Sequence, residues 1–175
     1  MELKSEVKEL SMNERSEKIH KMRSMINEIF QMSHELGLGN IFINEGFMEL
    51  FLAEELGHIW NHKTQGVDAF FPDEDGGAEY KMRSSPNGYF QFHCLSPRKL
   101  DRLAENTSWV YFVTRDKTEF TEIWRISMDA IIPILNENVC KVDLDRIIKK
   151  DKTPKGGHVA FSLNDLIKLG AERVK

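Results

Sequence analysis

The sequence predicts an α/β fold, a mixed β-sheet flanked by helices. A long N-terminal segment carries apolar residues at helical spacing, five short runs in the middle of the chain read as strands, and one proline-started helix separates the third of those strands from the fourth. In residues 14–36, Ile19, Met22, Met25, Ile26, Ile29, Phe30 and Met32 recur at helical spacing, and Gly37 and Gly39 stop the helix. Asn44 is placed to N-cap a second helix from Glu45 to about Trp60, with Phe47, Leu50, Phe51, Glu54 and Ile59 along it and His58 and His62 near its end. Strands follow near 67–71, 78–83, 89–95, 109–114 and 120–126, and the helix from Pro97 to Asn106 has its proline in the first turn, where the missing N–H does no harm. In strand 89–95, Phe90, Phe92 and Cys94 read as the core face, and Tyr89, Gln91 and His93 as the exposed one.

At 175 residues the chain reads as one domain, 1–175, large enough to bury a hydrophobic core. It contains no 18-residue apolar run, which excludes a transmembrane helix, and its N-terminus lacks the apolar core of a signal peptide. Two cysteines, Cys94 and Cys140, are too few for a disulfide framework or a zinc site, so a cytoplasmic protein with free thiols is expected. The net charge of −4 excludes a general polycation, but it is unevenly distributed. From Lys141 onward nine Lys/Arg face five Asp/Glu, a surplus of four, which leaves −8 on residues 1–140. His58 and His62 do not form a His-Glu-x-x-His pair, and Gly156-Gly157 lacks the lysine of a phosphate loop.

The chemistry-bearing pattern lies in the first two strands. Gly66-Val67-Asp68-Ala69-Phe70-Phe71 is followed by an acidic, turn-forming stretch and then by Gly77-Ala78-Glu79-Tyr80-Lys81-Met82. A hairpin brings Asp68 close to Glu79, and strand alternation puts Glu79 and Lys81 on one face. Asp68 also sits in an apolar run, where an unpaired carboxylate is costly to bury and a cation relieves the cost. Two carboxylates beside an ammonium suit Mg²⁺ and the hydrolysis of a phosphodiester. Acid-x-Lys by itself is a weak motif, equally at home on the solvated side of a hairpin.

Asp68…Glu79-Tyr80-Lys81 resembles the PD-(D/E)xK nuclease signature, with Val67 where that signature has proline. More specifically, the chain is similar to the PvuII-like branch of type II restriction endonucleases. The stretch Leu38-Gly39-Asn40-Ile41-Phe42, the block from Gly66 to Arg83, the run Phe90 to Pro97, the strands at 109–113 and 123–126, and Thr153-Pro154-Lys155 occur in that branch's order, over about Leu36 to Gly170. The resemblance implies a restriction-endonuclease-like core over 37–175 and an N-terminal helical dimerisation segment over 1–36. It implies a Mg²⁺-dependent enzyme cutting double-stranded DNA as a homodimer. Asp68, Glu79 and Lys81 would be catalytic, and Asp68, Glu79 and the Tyr80 carbonyl would ligate the metal. Gln91 and His93 would read bases, as would Lys152 and Thr153, which stand where the branch carries asparagines. Asn44 is expected at a minor-groove or loop contact, and Lys149, Lys150 and Lys155 at phosphates. A cognate DNA methyltransferase, encoded nearby and not bound, belongs to such a system. Two other readings remain open on the residues: a repair or junction-resolving nuclease on the same fold, and a non-catalytic DNA-binding module.

Overall fold

The computed structural model describes residues 12–42, 46–63, 66–148 and 157–175. The chain divides into two compact units, 1–43 and 44–175. In the first, α1 (Met12–Glu35) ends on Gly37 at φ 70°, with the Leu38 amide donating to Ser33 O (2.9 Å) and the Gly37 amide to His34 O (3.0 Å). This paired closure needs a residue at positive φ, which glycine adopts without strain. Phe30 and Phe42 meet edge to face at 5.2 Å, and Ser33 Oγ donates to Gly39 O. Ile19, Met22, Met25, Ile26, Phe30 and Met32 are exposed along α1.

The second unit is α/β with a mixed sheet flanked by helices. Its elements are α2 (Gly46–Leu56), β1 (Ile59–Trp60), β2 (Ala69–Phe70), β3 (Gly77–Arg83), β4 (Phe90–Leu95), α3 (Pro97–Asn106), β5 (Thr107–Asp116), β6 (Glu119–Ser127), α4 (Met128–Ile148), β7 (Gly157–Phe161), α5 (Leu163–Lys168) and β8 (Glu172–Arg173). Six strands form one sheet in the order β1-β2-β3-β5-β6-β8, and β4 pairs with β7 in a separate ribbon. Among the described residues only β3 and β5 run parallel, joined through β4 and α3; the other pairs are antiparallel.

β5 is the central strand, and Val110, Tyr111, Phe112 and Val113 are all buried, as expected where both faces are covered. Val110 and Phe112 join a core with Phe90, Phe92, Leu100, Leu103 and the α4 residues Ile131, Leu135 and Val139. Tyr111 and Val113 join an opposite core with Met48 and Leu52 of α2, and Ala78 and Tyr80 of β3.

Several elements differ from the sequence expectation. The second helix stops at Leu56, because Gly57 takes φ 71° and the His58 amide turns back to Ala53 O at 2.8 Å. His58 and His62 therefore lie beyond the helix, not along it. Cys94 is exposed rather than core, since it takes φ 52° where the β4–β7 register shifts between Phe92 and Leu95. The extra residue of this bulge interrupts the alternation that holds for Phe90 and Phe92. No element is read from the sequence over residues 128–148, yet α4 forms there with Pro133 inside it and with Met128, Ile131, Leu135 and Val139 on one buried face. β7, α5 and β8 were not expected either. No helix among the described residues is long and apolar enough to cross a membrane. Asn44, Lys149, Lys150, Lys152, Thr153 and Lys155 lie outside the described residues.

The β2–β3 hairpin closes on Gly77, where an added Cβ would sit 2.6 Å from Val67 Cγ2 and 2.7 Å from Ala69 O. Gly77→Ala is expected to destabilise the chain by about 1–3 kcal/mol, the usual range for overpacking. A lowered midpoint in urea unfolding checks this, and an unchanged midpoint would show that the hairpin can open to admit a methyl group.

Candidate active site

Asp68 immediately precedes β2 and is held by its backbone on both sides. The Asn61 amide donates to Asp68 O (2.9 Å), the Asp68 amide donates to Ala78 O (2.9 Å), and Asn61 Nδ2 donates to Val67 O (2.7 Å). The β2–β3 register, Ala69 opposite Ala78, sets Asp68 across from Glu79. The Tyr80 amide donates to Asp68 Oδ2 at 2.6 Å, fixing the carboxylate against β3. Lys81 Nζ lies 2.5 Å from Glu79 Oε1 and 3.1 Å from Tyr80 O, and 5.0 Å from the centre of the Phe92 ring. The two side chains that alternation assigns to one face are thus in direct contact.

Glu79 lines one cleft and its partner Lys81 lines a second. One, of about 330 Å³, is lined by Gly66, Asp68, Glu79, Cys94, Lys99, Arg102, Leu103 and Thr107. The other, of about 480 Å³, is lined by Tyr80, Lys81 and Arg83, the loop residues Ser84, Ser85 and Gly88, and by Gln91, His93 and Arg115. Asp68 and Glu79 share the first cleft, whereas Tyr80, Lys81, Gln91 and His93 share the second. Lys99 and Arg102 of α3 bring cations to the carboxylate cleft, and neither was singled out from sequence; nothing in the spacing of a solvated amphipathic helix marks them. Among the described residues no trio of His, Cys, Asp and Glu side chains comes close enough to hold a metal ion. The donor set near Lys81 is therefore two carboxylates and the Tyr80 carbonyl. Such a set suits a hard cation that keeps waters or takes substrate oxygens for its remaining positions.

Burial, then the nearby Glu79 carboxylate, holds Asp68 well above the ordinary aspartate value, and Lys81 and the Tyr80 amide do not reverse this. Desolvation pulls the Lys81 ammonium down, but Glu79 and then Asp68 outweigh it, leaving lysine above its ordinary value and charged. Glu49 of α2 is a third carboxylate acting on the site: it adds to the rise of both Asp68 and Lys81 and accepts from Trp60 Nε1 at 3.5 Å. Sequence reasoning passed over it, although it sits between Met48 and Leu50 much as Asp68 sits in its own apolar run. On the far face of β3, the Tyr80 hydroxyl meets His58 Nδ1 at 2.8 Å, and burial lowers the His58 pKa. No protein-family model and no curated protein matches the chain.

The folded chain holds the Asp68 proton more tightly than the unfolded chain does. In metal-free solution its ionised form therefore lowers stability as pH rises from the ordinary aspartate range through the raised folded value. Asp68→Asn, which keeps an oxygen for the Tyr80 amide, is expected to melt higher than wild type at neutral pH. The advantage should be a few degrees, each kcal/mol moving the midpoint of a chain this size by about 2–4 °C. It should shrink as pH falls below about 4, the ordinary aspartate value, where both states come to carry the proton. Calorimetry across that range checks this, and a variant melting lower at every pH would contradict it.

Proposed function

We propose that the chain is a Mg²⁺-dependent type II restriction endonuclease of the PvuII-like branch of the PD-(D/E)xK superfamily, on a restriction-endonuclease-like core. It would cut double-stranded DNA at a short palindrome, in the cytoplasm, as part of a restriction-modification system. The observation that carries this is the meeting of Asp68, Glu79 and Lys81, an acid pair with an ammonium 2.5 Å from one of its oxygens, the acids lining one cleft and the lysine another. Lys99 and Arg102 supply positive charge on the same cleft wall, as a phosphate-bearing substrate requires.

Asp68, Glu79 and the Tyr80 carbonyl would hold Mg²⁺, whose chemistry is to neutralise charge on the scissile phosphate and to favour an ionised water. Asp68 must lose its proton to serve, and a divalent cation favours that loss. Lys81, charged through its carboxylate neighbours, donates hydrogen bonds from Nζ. It orients the attacking water and stabilises charge building on the phosphorus oxygens. In-line attack leaves a 5′-phosphate and a 3′-hydroxyl. A twofold dimer carries one such site for each strand, and its symmetry matches a palindrome. The exposed apolar side chains of α1 are the candidate dimer surface.

Incubation of purified protein with plasmid DNA and Mg²⁺ tests the proposal. Discrete bands support it, a smear or structure-dependent nicking points to a repair or junction-resolving nuclease, and untouched DNA points to a non-catalytic module. Lys81→Ala is expected to lower turnover by about 10²–10³-fold while keeping specific binding in Ca²⁺; retention of more than about a tenth of wild-type turnover would remove lysine from the chemistry. Light scattering at micromolar concentration is expected to give twice the 20.3 kDa of one chain. A monomer mass would count against both the dimer and palindromic reading.

A further inference from the structure

β4 and β7 form a ribbon apart from the main sheet, and their exposed side carries two facing imidazoles. His93 Nδ1 and His158 Nδ1 lie 3.0 Å apart, with ring centres at 4.3 Å and planes inclined by 64°. The pair is held by the fold rather than by chance rotamers alone. The antiparallel register, with Phe92 opposite Val159, carries on to set His93 against His158, and Lys99 Nζ donates to His93 O at 2.9 Å, tying this end of β4 to α3. Both residues are exposed, so nothing in the core requires imidazoles here.

Two nitrogens at this distance share one proton: one Nδ1 donates and the other accepts. Imidazole is mostly uncharged at pH 7, and desolvation, followed by the neighbouring His158 ring and the ammonium groups of Lys81 and Lys99, lowers the His93 pKa further. The ring that donates through Nδ1 therefore has a bare Nε2, and its partner carries its proton on Nε2. The pair is left with one acceptor and one donor for a ligand. Adenine presents the complement in the major groove, N7 as acceptor and N6 as donor, whereas guanine presents two acceptors, N7 and O6.

Resting on the nuclease reading above, we propose that His93 and His158 form a single base-reading unit that selects adenine over guanine at one position of the target. His158 enters as a specificity residue equal to His93. Guanine O6 would face the bare Nε2, lone pair against lone pair, so rejection is built into the same contact that accepts adenine.

Competitive binding in Ca²⁺, against single-base variants of the best wild-type site, tests this with His93→Ala, His158→Ala and the double variant. Wild type is expected to prefer adenine at one position by about tenfold or more. Each single variant should relax that same position, and the double variant should relax it no further. Relaxation by His93→Ala alone, or a guanine-selective position, overturns the pairing while leaving the nuclease reading intact. Wild-type binding with no sequence preference overturns the pairing together with site-specific restriction. Imidazole nitrogen NMR of the free protein gives a readout that does not depend on DNA. Opposite tautomers that become independent in either single variant support the pair; the same tautomer on both rings overturns it.

Discussion

The site depends on the register of one short hairpin. Asp68 donates its amide to Ala78 O and accepts the Tyr80 amide on its side chain, so the residue before β2 grips β3 on both sides of Glu79. Because strand side chains alternate, a slip of one residue would turn Glu79 and Lys81 into the Tyr80 core and bring the Tyr80 ring to the face that they now occupy. Asn61 prevents such a slip from the other end, binding the main chain at both Val67 and Asp68. Gly77 lets the two strands approach closely enough for these bonds to form.

The hairpin is in turn held by the two-sided burial of the sheet. β3 lies beside β5 in parallel register, and β5 sends Val110 and Phe112 into one core and Tyr111 and Val113 into the other. Tyr80 packs edge to face against Tyr111 at 5.9 Å, which anchors the residue whose amide and carbonyl both point at the site. At the far end of β3, Arg83 donates to Thr114 Oγ1 at 2.9 Å and to Gly88 O at 2.7 Å, and it covers the Phe90 ring at 4.3 Å. That clamp joins β3 to the loop from which β4 starts, and so to His93.

Electrostatically the site is arranged to favour a cation. Burial first, and then the negative charge of Glu79 and Glu49 that Lys81 only partly offsets, makes Asp68 hold its proton. The same field keeps Lys81 charged, which fits stabilising an anion better than abstracting a proton. A low-dielectric setting of this kind stores unfavourable carboxylate repulsion, and a divalent ion relieves it.

Much of this was legible in the sequence, because it is local. Period-two alternation places Glu79 and Lys81 on one face, the turn chemistry of residues 72–77 implies the reversal, and Pro97 marks where α3 starts. The α/β class follows from the same periodicities. What only the tertiary structure decided is non-local. Glu49 joins the site from another element, Lys99 and Arg102 turn a solvated-looking helix into a cleft wall, and the β4–β7 pairing brings His158 to a residue far away in sequence. α4 forms where no element is read from the sequence, and a bulge sent Cys94 outward. Sequence patterns report which face a residue shares with its near neighbours; which faces meet depends on how the elements bury them together, and no local period encodes that.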